Sequence, residues 1–194
     1  MHQNVLVLLL GFPGVGKLTI ARELGLQLPA RVVDNHWINN PVLRLLDDDG
    51  YGKLPDAVWE QTAKVRQAIL DTIATLCDPQ ANFVFTNAGI HGDPRSVASY
   101  RQVSDTADRR QAIFLPVRLV CEEDELVRRI SSPERRERLK SVDVEAAQLR
   151  FRTASVLDPG HPDGITLDVT NSTPAESARS IHDYLANLAP PRDR

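Results

Sequence analysis

The sequence predicts an α/β fold in which five parallel strands are covered by helices. Three observations point there. Five short strand candidates alternate with segments of helical periodicity, as in a chain that crosses repeatedly over one parallel sheet. The first candidate, Val5–Leu10, is apolar at every position, as a strand buried on both faces must be. A glycine-rich turn then leads directly into a helix.

Taken in order, Gly11 ends the first strand, and Ile20, Leu24 and Leu28 recur at helical spacing until Pro29. Arg31, Val32 and Val33 form a short second strand that leads into Asp34, Asn35 and His36. The polar stretches 39–41 and 47–52 bracket a short helical piece. Asp56 is the expected N-cap of a long helix carrying Val58, Val65, Ile69 and Ile73. Residues 82–86 are the third strand, ended by Asn87, Ala88 and Gly89, with a polar helix after Pro94. The fourth strand is expected over 114–121, although Pro116 removes one ladder donor. Glu122, Glu123 and Asp124 suit the positive end of the next helix, which runs through Ile130. A helix over 144–156, a loop over 158–164 and a fifth strand over 165–169 follow. Thr173, Pro174 and Glu176 spell a capping box for a last helix reaching Leu188.

At 194 residues the chain is expected to be one domain, 1–194. With 42% hydrophobic and 25% charged residues it has material for a core, which excludes general disorder, collagen and coiled-coil readings. The net charge of −3 argues against a global nucleic-acid or anionic-membrane surface, so an anion site must be local. Cys77 and Cys121 stand apart without metal-ligand spacing; neither a disulfide framework nor a zinc site is expected, and a cytoplasmic protein is the default. The longest apolar run is too short to span a bilayer, so no membrane partner is expected.

Gly11-Phe12-Pro13-Gly14-Val15-Gly16-Lys17 fills the first seven positions of GxxxxGK[ST], between a predicted strand and a predicted helix. Glycines let the backbone curl so that successive N–H groups point inward. The helix N-terminus adds partial positive charge, and Lys17 reaches the β and γ phosphates. Gly11, Gly14, Val15, Gly16, Lys17, Leu18 and Thr19 are therefore the candidate nucleotide-binding residues. Leu18 stands where a hydroxyl would bind Mg²⁺. The ion is then expected on phosphate oxygens, water and an acidic side chain, with Thr19 available to a phosphate oxygen.

The loop GFPGVGKLT resembles that of adenylate kinases, which also place a non-hydroxyl residue between the Lys and the Thr. The wider layout is similar to the small P-loop kinases, including shikimate kinase, gluconate kinase and chloramphenicol phosphotransferase. The likeness spans nearly the whole chain, although only the phosphate loop is specific. It implies a three-layer α/β/α kinase fold with a helical lid. It also implies ATP and Mg²⁺ as cofactors, and a small-molecule acceptor such as a nucleoside, a sugar acid or an antibiotic. In that group an acidic residue after the second strand anchors Mg²⁺, directly or through water, or takes the proton of the acceptor hydroxyl. Asp34 occupies that place, with a strand-end cap as the alternative.

Phe85-Thr86-Asn87-Ala88-Gly89 loosely resembles the Thr-Gly-Gly-Gly stretch of shikimate kinases, so Asn87, Gly89, His91 and Asp93 are candidate acceptor contacts, against an ordinary turn. Residues 131–142 fall where the lid of these kinases lies. Arg128 just before that segment, and Arg135 and Arg138 within it, would meet the transferring phosphate, with Arg150 or Arg152 as further candidates, unless the segment is only a solvated charged helix. Arg66 could bind an anionic acceptor group, and Trp37, Asn39, Trp59 and Glu60 could line its pocket. Asn171, Ser172 and Thr173 lie where related kinases wrap the adenine. The group's paired acids, triple glycine and Arg-Pro-Leu-Leu lid are missing, which makes shikimate a poor substrate. Two other readings compete: a nucleotide-binding regulatory module without an acceptor, and a polynucleotide 5′-hydroxyl kinase. The net charge disfavours the latter, and nucleic acid with it.

Overall fold

The computed structural model describes residues 3–46, 54–130 and 144–188. Its centre is β1 (Val5–Leu10), whose six residues are all fully buried. Continuous apolarity is required here because β1 is hydrogen-bonded on both sides, to β3 (Asn82–Asn87) and to β4 (Ile113–Val120). β2 (Ala30–Asp34) extends the sheet beyond β3, and β5 (Ile165–Asp168) extends it beyond β4. The order is β2-β3-β1-β4-β5, and every pairing is parallel.

The helices form the outer layers. α1 (Lys17–Gln27) packs against α7 (Pro174–Ala186), and α3 (Asp56–Thr75) packs against both α2 (Asn35–Leu43) and α4 (Pro94–Arg109). α5 (Glu123–Ile130) and α6 (Val144–Thr153) complete the described helices and also pack together. The chain moves from β1 toward one edge and later returns past β1 toward the other. Right-handed crossovers then place α1 and α3 on opposite faces. This reversal opens a crevice at the carboxyl end of β1, where open α/β sheets hold their ligands.

Two polar residues buried beneath the sheet fix its registry. Asn82 accepts the Val5 N–H at 3.0 Å and donates to the Leu28 carbonyl at 2.8 Å, joining β1, β3 and the end of α1. Arg110 donates to the carbonyls of Ile73, Asp78, Pro79 and Ala81 and lies 5.3 Å from the Phe83 ring centroid. It satisfies the backbone that turns from α3 into β3.

Several boundaries differ from the sequence reading, the helix over 144–156 for instance ending at Thr153, and three differences bear on the architecture. α2 starts directly after β2 at Asn35 and runs through Pro41, instead of forming a short piece beyond it. Pro55, not Asp56, is the N-cap of α3, and Asp56 occupies its first turn. β4 is shifted by one residue and tolerates Pro116 because β5 pairs only from Val117 onward; no ladder partner stands on that side of Pro116.

Candidate active site

The phosphate loop joins β1 to α1. Gly14 and Gly16 both sit in left-handed backbone, at φ +102° and +103°. Gly14 is also packed beneath α5, where an added Cβ would lie 2.5 Å from Ile130 Cγ1. Lys17 arches back along the loop, donating to the carbonyls of Gly11 at 2.7 Å and Phe12 at 2.9 Å. The Thr19 hydroxyl donates to the Gly16 carbonyl at 2.7 Å, closing the first turn of α1. Val15 is buried, and its side chain serves packing.

Above the loop lies a cleft of about 750 Å³. Its floor is Gly14, Gly16, Lys17, Leu18 and Thr19. One wall is Asp34, Asn35 and Thr86 from the ends of β2 and β3; another is Arg128 and Arg129 from α5. The far wall is the segment after β5, including Asn171, Ser172 and Thr173. That last wall is locally stiff: Thr173 and Glu176 form the expected capping box, and the Ser172 and Ser177 hydroxyls are 2.8 Å apart.

Asp34 precedes α2 as its N-cap, yet its side chain makes no cap hydrogen bond. Its carboxylate instead accepts the Thr86 hydroxyl at 2.5 Å. Thr86 in turn accepts the Asn35 N–H at 3.2 Å. Asn35 Oδ1 accepts from Arg66 at 2.8 Å. Arg66 is a buried guanidinium whose pKa is lowered by that burial, and among the described residues its one side-chain hydrogen bond is to a neutral amide.

On the opposite side Glu125 gathers both arginines of α5. Arg128 grips it with two bonds of 2.7 Å, and Arg129 adds one of 2.5 Å. These bonds, those of Arg128 foremost, lower the Glu125 pKa from 4.5 to about 2. Arg129 also donates to the Val15 carbonyl at 2.7 Å and to the Val169 carbonyl at 2.8 Å. Glu125, Arg129 and Thr86 were not among the residues singled out by the sequence reading. A signal for Arg129 existed: position 129 follows the buried Leu126 by three residues and Glu125 by four, so it shares their face of α5.

The fold does not bring every sequence candidate into this cleft. Gly11 packs under the loop, where a Cβ would come within 2.9 Å of the Leu119 carbonyl. Trp37 is 60% exposed on α2, and Trp59 is stacked by Arg95 at 5.4 Å. Asn39, Arg66 and Asn87 are buried, and none of the three lines the cleft. Gly89 and His91 belong to a short antiparallel contact, with Leu157 N–H donating to the Gly89 carbonyl at 3.1 Å and His91 N–H to Ser155 at 2.9 Å. Asp93 caps α4 through Ser96. Arg152 pairs with Glu123, and Arg150 and Glu60 are exposed. Arg135, Arg138 and the expected lid over 131–142 lie outside the described residues.

Among the described residues no group of three or more His, Cys, Asp or Glu side chains is arranged to hold a metal ion. Among the described residues Asp34 and Glu125 both line the cleft, and Glu125 is engaged by Arg128 and Arg129, which leaves Asp34 as the carboxylate placed for an ion beside the phosphate loop. That donor set fits an ion such as Mg²⁺ whose remaining ligands are phosphate oxygens and water. No described helix is long and apolar enough to cross a membrane.

The architecture and the loop together give the chain the fold of the small P-loop kinases. Among solved structures it is similar to a gluconokinase from Sinorhizobium meliloti 1021, at 17% identity over 97% of this chain and 95% of that one, with a TM-score of 0.66. It is similar to the APS kinase of Mycobacterium tuberculosis, solved with AMPPNP and APS, at 15% identity over 96% and 100% of the two chains and a TM-score of 0.60. A sugar kinase from Janibacter sp. HTCC2649 aligns at 18% identity over 96% of each chain, with a TM-score of 0.58. No family model matches the chain. No curated protein matches it in sequence.

Proposed function

We propose that the protein is an ATP-dependent kinase that transfers the γ-phosphoryl group to a hydroxyl of a small molecule. The observation that carries this reading is that Asp34 and the phosphate loop face one cleft, with Asp34 oriented by Thr86 and not spent as a helix cap. The kinases among its structural neighbours, one of them solved with AMPPNP, support it.

On this reading the amides of Gly14, Gly16 and Lys17 cradle the phosphates, and Lys17 exchanges its loop carbonyls for phosphate oxygens when nucleotide binds. Asp34 accepts the proton of the acceptor hydroxyl as the new O–P bond forms and the bond to the β-phosphate oxygen breaks. Mg²⁺, when bound, supplies charge neutralisation between the phosphates, and Asp34 is the side chain that would meet it, directly or through water. Arg128 stands at the cleft wall for the charge that develops on the transferring group, with Glu125 holding it until then.

Arg66 points to the kind of acceptor. Arg66 lies behind Asn35, a residue of the cleft wall, and among the described residues its guanidinium has a single, neutral side-chain partner, so an anionic group that reached it past Asn35 would find donors still unused. An acidic acceptor such as a sugar acid supplies that anion, whereas a neutral nucleoside does not. The decisive experiment is transfer of label from γ-labelled ATP to pooled acceptors: sugar acids, nucleosides and nucleotides, hydroxylated antibiotics and 5′-hydroxyl oligonucleotides. Lys17→Ala is the control. Labelled product that disappears in the control is expected, foremost in the acidic pools. ATP binding with no pool labelled would leave the regulatory-module reading in its place.

A further inference from the structure

A phosphate loop works only if its N–H groups, and not its carbonyls, face the anion. The Val15–Gly16 peptide is one at risk. Gly16 has no Cβ to restrict it, so the plane between the two residues can turn over at little cost. Reversed, it would present the Val15 oxygen to the phosphates, where the partial charges repel. Something outside the loop must hold this plane in place.

Arg129 is positioned to do so. Its Nη1 donates to the Val15 carbonyl at 2.7 Å, its Nη2 to the Val169 carbonyl at 2.8 Å, and its Nε to Glu125 at 2.5 Å. The three acceptors lie on the phosphate loop, after β5 and on α5, and they use three directions of one rigid fork. No described peptide bond is cis, so a carbonyl held toward Arg129 turns the following N–H the opposite way. Gly16, which carries that N–H, lines the cleft.

We infer that Arg129 is a positioning residue for nucleotide binding, acting through the Val15–Gly16 peptide: by holding the Val15 oxygen outward it aims the Gly16 N–H at the bound phosphate. Glu125 completes the device by anchoring the guanidinium from the far side. A lysine at 129 keeps the charge but has one ammonium, which cannot span the Val15 and Val169 carbonyls and the carboxylate together. The inference rests on the nucleotide occupying the cleft of the proposed kinase.

The test is calorimetric binding of tripolyphosphate and of ATP to the wild type, Arg129→Lys, Arg129→Met and Glu125→Gln, with thermal unfolding of each. Tripolyphosphate has no base, so its affinity reports the cradle alone. Both Arg129 variants are expected to lose about tenfold or more in affinity for either probe, without rescue by lysine. Glu125→Gln, which keeps Arg129 and is the milder change for folding, should lose about threefold. In turnover the two Arg129 variants should raise the ATP KM by a larger factor than they lower kcat. Wild-type affinity in Arg129→Met, or full affinity restored by lysine, overturns the inference, the latter because bare charge would then suffice. A wild type that binds tripolyphosphate but phosphorylates nothing removes the kinase reading and leaves this one. One that binds neither probe removes both.

Discussion

The Thr86 hydroxyl donates to Asp34 Oδ1 at 2.5 Å while accepting the Asn35 N–H at 3.2 Å, so a single buried side chain links the carboxyl end of β3 to the β2–α2 junction. The hydroxyl hydrogen is committed to Asp34 because the amide occupies the oxygen's other side. Thr86→Val keeps the shape and removes both bonds. It should lower kcat about tenfold with the ATP KM unchanged, and Thr86→Ser should restore most of it. Equal kcat values for the valine and serine variants would show that the bond to Asp34 does not orient it for transfer.

Asp34→Asn retains the side-chain shape and gives up the proton acceptor. ATP affinity is expected to survive, and transfer to fall by about 10²- to 10⁴-fold. Single-turnover transfer beside equilibrium ATP binding separates the two effects. Normal turnover in this variant would leave Asp34 a purely structural strand end.

Arg66→Met replaces a buried charge with an apolar chain of similar reach. Loss of the acceptor's anionic partner should raise the acceptor KM at least about tenfold and leave the ATP KM alone. Folding stability should hold or rise, since the buried guanidinium has one neutral partner to lose. A large drop in unfolding temperature with an unchanged acceptor KM would make Arg66 a structural residue of α3.

Glu125 supplies a pH signature. Its carboxyl titrates at 4.5 ordinarily and at about 2 in the folded protein, through Arg128 first and then Arg129. A depressed carboxylate stabilises the fold fully above its unfolded pKa, and the contribution fades as pH falls through the folded value. The stability difference between wild type and Glu125→Gln should therefore be constant above pH 4.5 and close between 4.5 and about 2. Urea unfolding across that range measures it. A difference that persists undiminished at pH 2 would have another origin.

Gly14→Ala meets two obstacles at once, a φ of +102° and a Cβ 2.5 Å from Ile130 Cγ1 and 3.1 Å from Leu126 Cδ1. Backbone strain alone should cost about 1–3 kcal/mol. Gly16→Ala has the same strain but no contact below 3.5 Å, so it should be the better folded of the two. Thermal unfolding of both variants decides the ranking.

Elements governed by local rules were legible in the sequence. β1 declared itself by unbroken apolarity, the phosphate loop by glycine spacing and α7 by its capping box. Two of the departures from local rules involved proline. Pro41 within α2 and Pro116 within β4 look like breaks locally, and only the arrangement of neighbouring strands shows that β4 needs no donor at 116. At the site, Lys17 after the glycine loop and Asp34 at the end of β2 could be placed at one end of the sheet from the sequence, and both line the cleft. Arg129 reaches a carbonyl 114 residues away, and Thr86 an acid 52 residues away; such contacts depend on the roll of α5 and on which strands become neighbours. His91 and Gly89 show the reverse: a polar turn beside a strand end resembled a binding loop, and the fold uses it to pair with residues 155–157.

That pairing also has a meaning for how the sequence can vary. A Cβ added at Gly89 would sit 3.0 Å from Leu10 Cδ2 and 3.2 Å from Leu157 Cβ, so three positions far apart in the chain share one small volume. Substitutions there are not independent. A larger residue at 89 is tolerable only where 10 or 157 becomes smaller, and relatives of this protein should exchange these three residues as a coordinated set, keeping their summed size while each identity drifts.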